Sequence, residues 1–394
     1  MKKTVLFLLC ACSTRPVGAP QTRSGSMEAG PVSSTGANTS PLEPSTACAS
    51  PTATITAEWS LAQVANAASA LPDRDSVRLA VGPDRAYLAY TSRATDSPSD
   101  WYVVVRAVAL TGESPAPPLF IAGSAFRGLG QSPNVALAAA QHGVVACWDS
   151  VNEGNIHCTR SDQGARSDLV PWAGSNPALA PSIDGSDLVF ASMQWNTLTV
   201  GVLGEPGIVL SNDSGEDNVP FFSAGGRYRL LFYDNAAQHT SMAQGTDLSQ
   251  LTIEPFTALD GMTGPLLAAN DDHALVASIK SIYQTPDWQW EVHTASTTGD
   301  VRTLAISRPP QDAADPLIAA GKDSFASVFY DSQGALVYQA LDLTGAPIAD
   351  AVSIASADST RGLRQLAAVP DGFLLVMVQS AGISVTHLAC PASH

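Results

Sequence analysis

The chain has 394 residues, of which 45% are hydrophobic and 14% charged, and its formal net charge is -16 at pH 7. This apolar content excludes extended disorder, and the lack of apolar runs of about 18 residues excludes a bundle of transmembrane helices. Because 36 Asp and Glu face 20 Lys and Arg, the composition disfavours nucleic acid, which clustered basic residues would have to hold. A globular protein remains.

The N-terminus has the plan of a secretory signal peptide, with Lys2 and Lys3 followed by a short apolar run. The tetrad Leu9-Cys10-Ala11-Cys12 resembles a bacterial lipobox. This resemblance implies a signal peptide at residues 1–11 and a lipid on Cys12, with an ordinary cleaved signal as the alternative. Ser13 follows Cys12, which in lipoproteins of enteric type implies sorting to the outer membrane. We expect an exported protein of the bacterial cell envelope that contacts the membrane only through this lipid.

Residues 12–51 are rich in Ser, Thr, Pro, Gly and Ala and show no apolar periodicity. Such a composition is typical of a flexible tether. The predicted globular domain therefore covers residues 52–394.

Four further cysteines are an even number in a compartment that permits disulfides. Cys147 and Cys158 flank a turn-rich segment between two apolar strands, so they can face each other across a hairpin. Cys48 and Cys390 lie at the two ends of the predicted domain, and their pairing requires that these ends be adjacent.

An internal repeat of about 45 residues dominates the domain. Each copy has a short apolar strand, a polar turn and a longer apolar strand that often ends in an aromatic residue and Asp. The clearest copies span 133–149, 219–234 and 315–331, fainter ones span 177–192 and 265–278, and two more lie at 76–92 and 362–379. Third and fourth strands follow most copies, which is the size of a β-propeller blade. The prediction is an all-β, seven-bladed propeller of four antiparallel strands per blade, with six or eight blades as alternatives.

The last repeat lacks a fourth strand before the chain ends. Residues Thr52–Trp59 have the composition of a strand and no partner of their own. We expect this N-terminal strand to complete blade seven, which removes free sheet edges and brings Cys48 beside Cys390.

Segments 324–354 and 144–170 resemble repeats of bacterial secreted propellers, in which an aromatic-Asp strand end precedes a strand leading into Asp-x-x-Gly. The resemblance covers Ser76 to Cys390, concerns architecture and carries no catalytic residues. The repeats are also similar in outline to sialidase-type and WD-repeat propellers, but the Asp-box of the former and the Trp-Asp repeat of the latter are missing.

Aromatic and acidic residues at strand ends form the first candidate site, a ligand rim. Rings that stack and carboxylates that accept hydrogen bonds suit sugars or peptides. The competing interpretation is blade packing, with each Asp capping a turn. The candidate rim residues are Trp148, Asp149, Tyr233, Asp234, Tyr330, Asp331, Trp101, Trp195 and Trp288.

Two weaker clusters complete the search for chemistry. Arg78, Arg361 and Arg364 begin inner strands of neighbouring blades and can converge on an anion near the channel, although pairing with carboxylates is the alternative. Asp213, Glu216 and Asp217 lie in one polar segment, as calcium ligands do, but a solvated turn explains them equally. We expect no metal, no cofactor and no assignable catalytic residue.

The sequence therefore predicts a monomeric binding or protein-interaction module of the envelope, whose partner is a glycan or another envelope protein. A glycan-acting hydrolase or lyase on the propeller scaffold is the alternative, and a purely structural lipoprotein is a third possibility.

Overall fold

β-Strands make up nearly all the regular structure of this chain. The computed structural model describes residues 46–60, 77–82, 85–93, 101–108, 118–124, 133–140, 143–150, 154–161, 172–215, 219–259, 262–270, 273–284, 287–297, 299–307, 316–355, 362–379 and 382–390. Within these ranges the other elements are two 3-10 helices, Leu248–Gln250 and Thr257–Leu259, and no helix there has the length and apolarity needed to cross a bilayer. The signal peptide, Cys12 and most of the predicted tether lie outside the described residues.

The strands form seven antiparallel sheets of four, which we number as blades in chain order. Blade 1 contains β2 (Val77–Val81), β3 (Ala86–Arg93), β4 (Trp101–Val108) and β5 (Pro118–Ser124). Blade 2 contains β6 (Val135–Ala140), β7 (Gly143–Ser150), β8 (Asn155–Arg160) and β9 (Trp172–Ala173). Blade 3 contains β10 (Ser175–Pro181), β11 (Leu188–Gln194), β12 (Thr197–Val202) and β13 (Ile208–Ser211).

The remaining blades follow the same order until the last. Blade 4 contains β14 (Phe221–Ala224), β15 (Arg227–Asp234), β16 (His239–Gly245) and β17 (Thr252–Pro255). Blade 5 contains β18 (Thr263–Ala269), β19 (Ala274–Gln284), β20 (Asp287–Ser296) and β21 (Val301–Ser307). Blade 6 contains β22 (Leu317–Ala320), β23 (Phe325–Tyr330), β24 (Leu336–Leu341) and β25 (Val352–Ala355). Blade 7 contains β26 (Gly362–Val369), β27 (Gly372–Gln379), β28 (Gly382–Ala389) and, from the N-terminus, β1 (Thr52–Ser60).

The first strands of the blades contact one another in chain order, and β2 also contacts β26 of the last blade. The sheets therefore close into a ring around an axis. This confirms the predicted seven-bladed propeller over the alternatives of six or eight blades.

The core lies between neighbouring blades, because each second strand is buried on both faces. In β19, Val276 packs with Leu231 of blade 4, whereas the adjacent Leu275 packs with Phe325 of blade 6. Alternate side chains of a strand point to opposite faces, so a strand covered on both faces needs apolar residues at consecutive positions. This explains the nearly continuous apolar runs of the second strands.

The strand order gives the ring two faces. We call BC face the one that carries the turns between second and third strands, at residues 195–196, 235–238 and 331–335, and AB face the one that carries the turns between first and second strands, at 182–187, 225–226 and 321–324. Because neighbouring strands are antiparallel, these turns lie at opposite ends of each sheet.

Ring closure joins the two ends of the folded chain. β1 pairs with β28 from Thr52↔Ala389 to Ser60↔Gly382, which confirms that the N-terminal strand completes blade 7. Trp59 of β1 is only 1% exposed, and the Arg106 guanidinium of blade 1 lies 5.8 Å from its ring centroid. Arg106 Nε also donates a hydrogen bond to the Tyr90 hydroxyl at 2.9 Å. The closing strand is thus held by blade 1 as well as by blade 7.

Both predicted disulfides are confirmed. Cys147 and Cys158 are direct partners in the β7–β8 pair, and Cys48 bonds to Cys390 across a sequence separation of 342 residues. The residue before Cys48, Ala47, is buried among side chains of blades 6 and 7, and its backbone N–H donates to Ser324 Oγ at 2.6 Å. The N-terminal segment therefore enters the propeller at the AB face.

Removing the closing disulfide with Cys48→Ser and Cys390→Ser is expected to lower the free energy of unfolding more than removing the hairpin disulfide with Cys147→Ser and Cys158→Ser. Chain-entropy arguments assign about 5 kcal/mol to a cross-link of several hundred residues and about 3 kcal/mol to one of about a dozen. Urea unfolding of the two double variants measures both losses. An equal or reversed order would contradict the chain-entropy account of the two cross-links.

Candidate functional site

The candidate rim residues all lie at or next to the BC ends of strands, as the repeat pattern predicts. Trp148 and Asp149 lie in β7, Tyr233 and Asp234 end β15, and Tyr330 and Asp331 lie at the end of β23 and in the turn after it. Trp101 and Trp288 lie in β4 and β20 near the corresponding turns of blades 1 and 5, but their side chains lie outside the described part of the chain. Burial divides the others into two groups.

Trp148 and Tyr330 are buried between blades, with exposures of 4% and 2%. The Trp148 ring lies parallel to His157, with 5.9 Å between ring centroids. Asp331 Oδ1 accepts hydrogen bonds from the backbone N–H groups of Gln333 and Ala335. These contacts agree with the packing and turn-capping interpretation of the pattern.

Trp195 behaves differently, because its side chain is 92% exposed. It begins the two-residue turn between β11 and β12 and has a φ of 57°, a left-handed conformation that bulky residues rarely adopt. A large apolar ring in a strained turn is a costly surface feature, and such strain is concentrated at functional sites.

The segment after β13 fastens this turn to blade 4. Ser214 N donates to Asn196 O at 2.7 Å, Gly215 N donates to Tyr233 O at 2.8 Å, and Asn235 N donates to Asp213 O at 2.8 Å. The exposed Trp195 therefore sits on a hydrogen-bonded platform shared by two blades. Tyr233, Asp213 and Asp234, which are all half-buried, belong to the same platform.

Asp234 has a turn-capping contact of its own. Its Oδ1 accepts hydrogen bonds from the backbone N–H groups of Ala236 and Ala237, both at 3.0 Å. This fixes the carboxylate within the 235–238 turn, beside the loop that contains Asp213.

Asp149 is a buried carboxylate, 1% exposed, that links blades 2 and 3. Its Oδ1 accepts from Asn134 N at 2.9 Å, and its Oδ2 accepts from Asn134 Nδ2 at 2.9 Å and from Asn176 N at 3.1 Å. Burial raises the pKa of the Asp149 carboxyl above its usual value, against the opposing effect of hydrogen bonds from Asn176 and Asn134. Asn176 has a φ of 51°, a conformation that Asn tolerates better than most residues.

An axial cavity of about 340 Å³ is lined by the first strands of all seven blades. Its wall consists mostly of Ala, Leu, Val and Ile side chains with Phe221 and Phe222, and its polar side chains are Arg78, Ser223 and Gln365. Among the described residues, the wall contains no Asp or Glu.

The predicted arginine cluster is described only in part. Arg78 lines the axial cavity and donates from a guanidinium nitrogen to Val77 O at 3.1 Å. Arg361 and the side chain of Arg364 lie outside the described residues. The neighbouring strands β2 and β26 are nevertheless linked, since Leu79 N donates to Gln365 Oε1.

The described residues offer no cluster of side chains that could bind a metal ion. No group of three His, Cys, Asp or Glu side chains in the described ranges is placed to hold an ion. Of the predicted calcium ligands, Asp213 belongs to the platform beside Trp195, while Glu216 and Asp217 lie outside the described part.

Two features of the site could not be predicted clearly from the sequence. The Asn134–Asp149–Asn176 network joins β7 and β10 to the residue that precedes β6, and the repeated aromatic-Asp ending is the one sequence feature that indicates Asp149. The apolar wall of the axial cavity is formed by short first strands that are rich in Ala, such as residues 135–140. These small side chains are the one feature of the sequence that could have predicted an apolar cavity.

Comparison with known proteins supports the architecture. The chain matches no protein-family model and no curated protein sequence. Among solved structures, hydrazine synthase of Kuenenia stuttgartiensis matches with a TM-score of 0.50 and 12% identity, covering 82% of this chain and 99% of that one. A streptogramin B lyase matches with a TM-score of 0.45 and 12% identity over 81% of this chain and 95% of that one.

TolB from Acinetobacter baumannii gives a TM-score of 0.41 and 15% identity, with 66% of this chain and 61% of that chain covered. At these identities the similarity concerns the fold alone.

Asp149→Asn is expected to lower the free energy of unfolding by about 1–3 kcal/mol near pH 7. An amide presents at least one N–H where the carboxylate accepts from Asn134 and Asn176, so a buried donor loses its acceptor. Because the folded-state pKa of Asp149 is raised, folding favours the protonated carboxyl: its contribution to stability is fully present below the unfolded pKa and is lost as pH rises through the folded pKa and the group ionises. Urea unfolding should therefore show the advantage of the parent over the variant shrinking from about pH 4 upward, and an advantage that grows with pH would contradict this account.

Proposed function

We propose that this protein is an exported, lipid-anchored β-propeller that binds a glycan of the cell envelope at its BC face. The observation that carries the proposal is Trp195, which is 92% exposed and held at a φ of 57°. Nothing in the packing of blade 3 requires a tryptophan in this turn, because the ring contributes almost no burial.

The platform supplies what an exposed ring needs in order to bind a sugar. Indole rings stack on the apolar faces of sugar rings, while nearby carboxylates and backbone groups accept hydrogen bonds from hydroxyls. Asp213 and Asp234 lie on the platform, which three backbone hydrogen bonds hold together. A rigid arrangement reduces the conformational entropy lost on binding.

The axial cavity favours binding over catalysis. Glycoside hydrolysis uses two carboxyl groups about 5–10 Å apart, and the described wall of the cavity is apolar and carries Arg78 as its charged side chain. We therefore favour a protein that binds a glycan over a hydrolase or lyase that cleaves one. Product analysis in the binding experiment separates the two.

Export has independent support in the two disulfides, which form and persist in oxidising compartments. The attachment to the outer membrane through Cys12 rests on the lipobox resemblance. A soluble domain on a tether of several tens of residues can reach ligands away from the membrane surface.

Trp195→Ala is expected to weaken binding to a glycan and peptidoglycan-fragment array about tenfold, which corresponds to about 1.4 kcal/mol, because it removes the large aromatic ring on which a sugar would stack. Trp195→Gly should bind equally poorly and keep or raise the thermal stability, because glycine adopts positive φ without strain. Ile253→Ala, at another exposed hydrophobic residue on the outer edge of blade 4, is the matched control. Binding that survives in both Trp195 variants would place the glycan elsewhere, and silence of the whole array would contradict the ligand class.

Cys12→Ala is expected to abolish palmitate labelling of the full chain expressed in a bacterial host. The lipobox resemblance implies that the thiol of Cys12 carries the lipid. Cys10→Ala serves as the neighbouring control and should keep the label. Persistent labelling of the Cys12 variant would move the anchor to another residue, and a parent chain that takes up no label would favour the ordinary cleaved signal peptide.

A further inference from the structure

We infer that the axial cavity is a second binding site, specific for a short extended peptide with small side chains and a free carboxylate. The site is separate from the platform around Trp195. It is built from the inner edges of the seven first strands, and its size, backbone groups and charge each restrict what it can hold.

The backbone of the wall requires hydrogen-bonding partners. Within the described part of the chain, each first strand pairs with the second strand of its blade alone, so its axial edge carries N–H and C=O groups without a strand partner. Buried backbone groups must be paired or solvated. The Gln365 side chain, which accepts from Leu79 N, shows how one such group is satisfied. An extended peptide carries alternating donors and acceptors that can do the same.

The side chains of the wall limit the size of the ligand. Alanines occupy the wall at positions 80, 136, 138, 139, 178 and 180, and the cavity measures about 340 Å³. At about 30 Å³ per non-hydrogen group, the share of a water molecule in the liquid, this volume holds on the order of ten such groups. A dipeptide of alanines has that size, and larger side chains would collide with Phe221 or the surrounding leucines.

The charge of the cavity wall favours a ligand that carries a carboxylate. Arg78 is the charged side chain of the described wall, in a protein whose net charge is -16. It is the second residue of β2 and lies toward the BC end of the channel. A guanidinium binds carboxylates with strong, oriented hydrogen bonds, so the C-terminus of the peptide is expected at this end.

A fatty acid, with one alkyl chain and a carboxylate head, is a chemically different ligand that could also fit the axial cavity. It would contact the apolar side chains and Arg78 equally well. However, it would strip water from the axial backbone groups without replacing their hydrogen bonds, which costs free energy for each group. The wall therefore favours a peptide, and decanoate is the probe that tests this preference.

The experiment is an NMR titration of the folded domain with Ala-Ala, Ala-Ala amide and decanoate up to about 10 mM, the affinity range expected of ligands this small. We expect saturable one-to-one binding of Ala-Ala, about tenfold weaker binding of the amide, and weaker binding of decanoate than of Ala-Ala. Arg78→Gln should remove the difference between acid and amide, and Ala178→Leu should abolish binding by filling the cavity.

Matched controls use the same substitutions at exposed positions. Arg227→Gln and Ala53→Leu lie outside the cavity wall and at exposed sites, so they should leave Ala-Ala binding unchanged. If Ala178→Leu fails to fold, the comparison of acid and amide in Arg78→Gln still decides the proposal.

Four results would overturn the inference: no saturable binding of Ala-Ala, tighter binding of decanoate than of Ala-Ala, a difference between acid and amide that persists in Arg78→Gln, or Ala-Ala binding that persists in a folded Ala178→Leu variant. The outcome is independent of the proposed glycan site. Trp195→Ala should leave Ala-Ala binding intact, so the failure of one proposal is distinguishable from the failure of the other.

Discussion

The pairing of β1 with β28 is the interaction on which the rest of the molecule depends. A blade is a four-stranded sheet that is apolar on both faces, so it is stable only between two neighbours. In an open chain of blades, β2 and β3 on one side and β26 and β27 on the other would expose the side chains that now form one cluster between blades 1 and 7. Burial of each large aliphatic side chain contributes about 1.5–3 kcal/mol, so closure affects a substantial part of the stability. The Cys48–Cys390 bond makes this closure covalent.

A closed ring also determines where polar groups can function. Between blades there is little room for them, and Asp149 shows the cost, since burial raises its pKa and three N–H groups are needed to hold its carboxylate. At the axis the first strands leave one edge unpaired, and at the BC face the turns reach solvent. Polar side chains that could contact a ligand are therefore expected in the channel and at the turns. These are the places where Arg78 and Trp195 lie.

Much of the architecture could be predicted from the sequence because the repeat has a direct physical origin. Second strands covered on both faces must be continuously apolar, and a strand without a partner, Thr52–Trp59, must complete the blade that lacks one. The aromatic-Asp endings were harder to interpret. Trp148 and Tyr330, which precede an Asp, are 4% and 2% exposed, whereas Trp195, a turn residue that precedes Asn196, is 92% exposed. The sequence places all three among the rim candidates, because an aromatic residue at or next to a strand end can serve either packing or recognition. The Asn134–Asp149–Asn176 network was also beyond prediction, since it depends on the contact between two blades and on the left-handed conformation of Asn176.

The position of the N-terminal segment relates the fold to the proposed anchor. Ala47 and Cys48 are fixed at the AB face by Ser324 and Cys390, whereas the platform of Trp195 belongs to the BC face. The described chain therefore enters the ring on the face opposite Trp195. A chain that entered at the BC face would occupy space next to Trp195 and to the BC end of the channel. The pairing of β1 with β28, which closes the ring, thus also keeps the entry of the chain away from both.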